Sequence, residues 1–198
     1  MRRRTRTGRA LTAGTAATLV WVTAGTAAAA PPAGRAITVT HDGYALAALT
    51  SAEVPDLTVY LDVFDPGDRA PFADLEVFVS GFECVTGEED SIPATMRTLR
   101  AADASGTLPL SCSSPAGETV LGEAVVVGVA WAGEGRLPPP EVIPRGPGVL
   151  CTLVVSTRDA SVAGTVRVVV PDLGVDATAT GDRGQLRHVT GICLPEDG

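Results

Sequence analysis

The chain has 198 residues, with 15 cationic side chains, all of them arginine, against 23 Asp and Glu, and it contains no asparagine. Without lysine there is no Schiff-base chemistry and no lysine nucleophile, and without asparagine there is no N-glycosylation. Four cysteines behind a strongly basic amino terminus point to an oxidising compartment.

Arg2, Arg3, Arg4, Arg6 and Arg9 precede an apolar run, Leu11 to Thr23, that is short and rich in Ala and Thr. A membrane span needs about 20 apolar residues, so this run reads as the core of an export signal. Ala27-Ala28-Ala29 supplies a cleavage site. Residues 1–30 are therefore expected to be a signal peptide of the general export route, and 31–198 a single secreted domain. Its removal leaves 10 arginines against 23 acids, a net charge of −13. Such a surface repels phosphate backbones, which excludes nucleic acid as an expected partner. No second long apolar run follows, so no membrane attachment is expected after cleavage.

In chain order, residues 36–41 alternate as a strand, and Asp42-Gly43 is a turn dipeptide into Tyr44–Ser51, a second hairpin arm or a short helix. Leu57–Phe64 is a strand with Leu57, Val59, Leu61 and Val63 on one face. Asp65-Pro66-Gly67-Asp68 is a turn, with Pro presetting φ and Gly supplying a positive one. Asp74–Cys84 reads as one strand with a bulge or bend at Gly81. An acidic loop holding Glu88, Glu89 and Asp90 follows. Thr95–Ala101 and Thr107–Cys112 read as two strands joined through 102–106, with Leu108, Leu110 and Cys112 aimed at the core.

The longest alternation is Ala124–Ala132, where Val125, Val127, Val129 and Trp131 would share the core face. Gly133–Gly148 carries five prolines and four glycines and is expected to be a long surface loop with polyproline character. Val149–Thr157 and Thr165–Val170 form a predicted hairpin that Pro171 ends. A weak strand over 176–180, a turn over 181–184 and a last strand over 185–194 complete the chain. No amphipathic helix is evident. The expected fold is all-β, a single immunoglobulin-like β-sandwich with two disulfides, with a β-barrel as the alternative. The cysteines allow three pairings; Cys84–Cys112 and Cys151–Cys193 are expected because each closes a loop within one half of the chain.

Catalytic patterns are sparse. There is no G-x-S-x-G elbow and no close cysteine pair for zinc. His41 and His188 stand in strands beside Thr, positions that surface placement explains. Asp62, Asp65 and Asp68 cluster around a turn and would supply oxygen ligands to Ca²⁺, although they lack the EF-hand spacing and acidic loops are commonly just solvated. Tyr44, Tyr60 and Phe72 are the aromatics available to a sugar-binding platform; Trp131, Phe78 and Phe82 read as core. In the Pro-rich loop, Arg136, Leu137, Val142, Ile143 and Arg145 would present a stiff peptide to a partner or a protease.

The segments Val127–Gly135 (V-x-V-x-W-x-G-x-G) and Arg158–Val166 (R-x-A-x-x-x-G-x-V), behind an Arg-rich signal, resemble small exported β-rich proteins of high-GC Gram-positive bacteria. The resemblance covers the last half of the chain and implies export and a β-rich fold, with no catalytic residues to carry over. The expected function is that of a non-catalytic extracellular binding protein for a protein or cell-wall component. An extracellular protease inhibitor presenting loop 133–148, or a calcium-dependent binding module, are the alternatives.

Overall fold

The computed structural model describes residues 38–87, 89–144 and 151–193. The signal peptide expected over 1–30, Glu88 and Arg145 lie outside the described residues. The strands are β1 (Thr38–Ser51), β2 (Thr58–Asp65), β3 (Phe72–Val79), β4 (Phe82–Val85), β5 (Ile92–Met96), β6 (Ala101–Ser113), β7 (Thr119–Gly133), β8 (Glu141–Pro144), β9 (Cys151–Val170), β10 (Val175–Thr180) and β11 (Arg183–Cys193). Between β9 and β10 the chain turns through a short 3₁₀ segment, Pro171–Leu173, closed by Gly174 at φ 65°.

All pairings are antiparallel and belong to one sheet. β4 and β5 share one position between β3 and β6. β10 and β11 likewise share the position between β9 and β1. β1 pairs with β11 along one side and with β2 along the other. The order β1–β2–β3–β4/β5–β6–β7–β9–β10/β11 therefore returns to β1, and the sheet closes. Apart from β8, which lies off the ring between β7 and β9 in sequence, and the closing pairs of β1 with β10 and β11, the ring follows the order of the chain. An immunoglobulin-like sandwich needs Greek-key crossings between two sheets, so the described residues follow the barrel alternative instead.

Closure sorts the side chains by parity. Leu57, Val59, Leu61 and Val63 are fully buried, as their phase predicts, and Leu108, Leu110 and Cys112 join them inside. Valines and alanines of β3, β7, β9 and β10 fill the rest of the interior. The interior is apolar apart from Ser51, and the outward positions mix Thr, Asp and Glu with exposed apolar and aromatic side chains. No helix among the described residues is long and apolar enough to cross a membrane.

Several predicted turns are strand instead, each for a local reason. Asp42-Gly43 runs straight through β1, because Gly43 lies between two ladder partners, Asp65 and His188. The 102–106 connector is part of β6, and the reversal lies earlier, at Arg97–Arg100, where Thr98 takes φ 50°. The predicted 149–170 hairpin is the single strand β9, which bends at Gly164 (φ 104°) without reversing. The opposite error occurs at 74–84. There Ser80 and Gly81, with φ 52° and 78°, make a two-residue hairpin turn that splits the predicted strand into β3 and β4.

The long β7 alternation also changes phase. Ala124 and Val126 point inward, then Val129 and Trp131 do, while Val127 is 56% exposed. The switch is a bulge: Gly128 adopts φ 54°, and the register with β9 shifts between Val127 and Ala130. One extra residue moves every later side chain to the other face.

Outside the ring, β8 adds to β9 at Thr152–Val155, and Thr38–Asp42 of β1 pair with β11 but not β2. The order β8–β9–β11–β1 thus extends the sheet past the ring. The Pro-rich segment is therefore not all loop, since Glu141–Pro144 form a short outer strand. Cys84 and Cys112, directly opposed on β4 and β6, form a disulfide as expected from the sequence.

Candidate functional site

The outer faces of β1–β4 carry most of the aromatic side chains. Register arranges them in rows across the sheet. Arg187, Tyr44, Phe64 and Phe72 stand side by side on β11, β1, β2 and β3. The next outward row is Gln185, Leu46, Asp62 and Asp74, followed by Ala48, Tyr60, Glu76 and Val85. Thr50, Thr58, Phe78 and Glu83 form the last. Even positions of β1, β2 and β3 face out because the odd or alternate ones fill the core, so the site is a by-product of the same period of two.

The aromatics touch one another. Tyr44 meets Phe64 edge-on at 5.6 Å, Phe64 stacks on Phe72 at 5.4 Å, and Arg69 covers the Phe72 ring at 4.5 Å. Tyr60 meets Phe78 edge-on at 5.9 Å, and the two are 45% and 37% exposed. Phe78, read from sequence as core, is thus a surface residue. The strand split at Ser80-Gly81 leaves Val77 and Val79 inside and Phe78 out. Phe82 is half-buried against the core.

Beside Tyr60 lies a shallow groove of about 640 Å³, lined by Leu46, Ala48, Tyr60, Asp62, Glu76 and Gln185 among others. Small residues make it: Ala48 leaves room beside Tyr60, and Gly184 forms part of the floor. Trp131 lies under that floor, fully buried, with its indole N–H donating to the Leu46 carbonyl at 3.0 Å. A Cβ on Gly184 would stand 2.8 Å from the indole, so glycine there lets the ring lie against the strand. Core and groove share one wall.

The groove wall carries the carboxylates of Asp62 and Glu76. Asp62 is pushed up to about 6, first by burial and then by the charges of Asp74 and Glu76. Asp74 is raised by burial. Glu76 is raised by its loss of water, by the charge of Glu83 and by a hydrogen bond shared with it. The charges of Asp74 and Glu76 make Asp62 harder to ionise, and the charge of Glu83 does the same to Glu76. The exposed Arg167–Asp176 pair, in contrast, is matched by two short hydrogen bonds and holds Asp176 below the usual carboxylate range.

The other sequence candidates fall elsewhere. Asp62 and Asp65 point to opposite faces of β2, while Asp65 and Asp68 flank the turn where Asp65 Oδ1 accepts the Gly67 N–H. The strand parity therefore does not gather the three into one cage, and no group of three or more metal-ligating side chains occurs among the described residues. Arg136, Leu137, Val142 and Ile143 are exposed. Leu137 precedes β8, and Val142 and Ile143 stand within it on opposite faces. His41 and His188 stack at 5.6 Å on adjacent strands. Burial and then the charge of His41 lower the His188 pKa, against Asp42 and Asp65. Cys151 and Cys193 occupy directly opposed positions of β9 and β11.

Arg158, the first residue of the second resembling segment, fixes loop structure. Its guanidinium donates to the carbonyls of Leu99, Glu134 and Gly135 at 2.8–3.1 Å, tying the β5–β6 turn to the segment after β7. No family model, curated protein or solved structure matches the chain.

Proposed function

We propose that the protein is an exported, non-catalytic binding module whose outer β1–β4 face receives cationic groups of an extracellular protein or cell-wall component. The observation that carries this reading is the groove beside two exposed aromatic rings in which burial, and then the charges of Asp74 and Glu76, push the Asp62 pKa up to about 6. An arginine or lysine side chain relieves that repulsion with its charge, while its stem lies against Tyr60 and Phe78. The basic amino terminus supports export, and in an oxidising compartment the opposed Cys151 and Cys193 would close a second disulfide. The expected family resemblance is compatible with this compartment.

The test is an NMR titration of the mature, oxidised protein with an arginine-rich peptide and with a glutamate-rich control at low and high salt. Shifts are expected at residues 44–48, 60–64 and 74–78 with the basic peptide only, and to weaken with salt. Asp62→Asn with Glu76→Gln should weaken binding by about tenfold, in line with the loss of one or two charged contacts. Equal shifts with the acidic peptide, or shifts confined to β8, would contradict the reading.

A second reading attaches to β8. Val142 is 59% exposed in an extended segment with a ladder partner on one side only among the described residues. Such a segment suits the groove of a protease, and slow cleavage after Arg136 by a trypsin-like enzyme, with inhibition of that enzyme, would favour it. For the calcium reading, the thermal midpoint in Ca²⁺ against EDTA is the check.

A further inference from the structure

We infer that His41 and His188 form a two-imidazole chelate for a late first-row divalent ion such as Zn²⁺, Ni²⁺ or Cu²⁺. The inference is independent of the outer-face reading, because the pair stands where β1 and β11 run past the ring. The register sets His41 opposite Thr190 and His188 opposite Gly43, so the imidazoles are diagonal neighbours on one face. Their ring centres lie 5.6 Å apart. Two imidazoles sharing one tetrahedral ion, with metal–nitrogen bonds of about 2.0–2.1 Å, have ring centres roughly 5–5.5 Å apart. The ring planes lie 21° apart, so the spacing already suits a shared ion, and closing on it turns the rings until one nitrogen of each points to it.

A second feature orients the ligand. His41 Nδ1 lies 3.3 Å from Thr190 Oγ1. With the Nδ1 proton given to that hydroxyl, Nε2 keeps its lone pair, the arrangement by which metal-binding histidines are held by an outer hydrogen bond. At Gly43, opposite His188, a Cβ would stand 2.9 Å from Met96 Sδ, so the thioether packs beside the pair. The Asp42 and Asp65 carboxylates lie near enough to act electrostatically on His188, which favours a cation at this place. Water would complete the coordination shell. Imidazole ligands select Cu²⁺, Ni²⁺ and Zn²⁺ over Mg²⁺ and Ca²⁺.

The experiment titrates Cu²⁺, Ni²⁺ and Zn²⁺, with Mg²⁺ as the control, into mature, oxidised protein free of any histidine tag, followed by calorimetry and by the imidazole proton resonances. One ion per chain is expected, Cu²⁺ the tightest, with both histidines shifting together. His41→Gln and His188→Gln should each weaken binding about tenfold or more, and the double variant should abolish it. Thr190→Val, which keeps both rings, should weaken it by a smaller factor. Thermal midpoints of the variants without metal report whether they fold. Undiminished binding to a folded double variant would overturn the inference, and so would Mg²⁺ binding as tightly as Zn²⁺, or no shift of either imidazole under saturating Cu²⁺.

Discussion

Asp62 shows how the site's electrostatics enter stability. Its pKa of about 6 in the folded protein stands above the ordinary 3.8, so the folded state holds the proton more tightly than the unfolded chain. The resulting stabilisation is complete below pH ~4 and is lost as pH rises towards ~6.5. Asp62→Asn should therefore flatten the fall in stability between pH 4 and 6.5 and leave the protein more stable at pH 7. The side chain is partly solvated, so screening reduces the gain to about 1 kcal/mol. Urea unfolding of both proteins at pH 4 and pH 7 measures it; an equal fall in the two would contradict the shift. Trp131 works in the opposite sense. Trp131→Phe keeps most of the buried ring but removes the indole N–H bond to the Leu46 carbonyl behind the groove, at a cost of about 1 kcal/mol. Chemical denaturation should show that loss, and the groove's peptide binding should weaken with it.

Among the elements, β7 and β9 depend on their bulges. At Gly164 a Cβ would lie 2.4 Å from the Gly128 carbonyl oxygen, and φ is 104°. Gly164→Ala should cost upwards of about 2 kcal/mol, from backbone strain and clash together. A neutral result would show that the bulge is not as described. The Cys84–Cys112 crosslink closes a 28-residue separation. Replacing both by alanine should cost about 3–4 kcal/mol, roughly 10 °C in thermal midpoint for a domain of this size. Differential scanning calorimetry of the double variant checks this. The alternation of β2, the in-phase Leu108, Leu110 and Cys112, and the Cys84–Cys112 pairing were legible because each depends on local periodicity or spacing. The phase of β7 was not, because Gly128 inserts one residue into an unbroken valine run and nothing local distinguishes a bulge from a small outward residue. Gly43 and Ser80-Gly81 carry similar turn signals. Only the partner strands on both sides of Gly43 make one extended and the other a reversal.

For the whole molecule, closure is a long-range property. It rests on β1 meeting β2 nearby in sequence and β11 far from it. Short-range patterns predict sandwich and barrel equally well, since both bury alternate residues of antiparallel strands. The same limit hid the outer site. Tyr60, Asp62, Glu76 and Phe78 converge only when β2 and β3 are put in register, whereas sequence distance drew Asp62 towards Asp65 and Asp68. Once the ring is closed, both the packed interior and the acidic, aromatic outer face follow from one assignment of parity.

Amide hydrogen exchange along residues 43–47 of β1, paired with β2 on one side and β11 on the other, tests that closure most directly. In a closed ring, successive N–H groups alternate between β2 and β11 as partners, so the whole run should be protected together, to near the global unfolding free energy. Fast exchange at every second amide, the pattern of a strand with one open side, would show that β1 is a sheet edge and contradict the account.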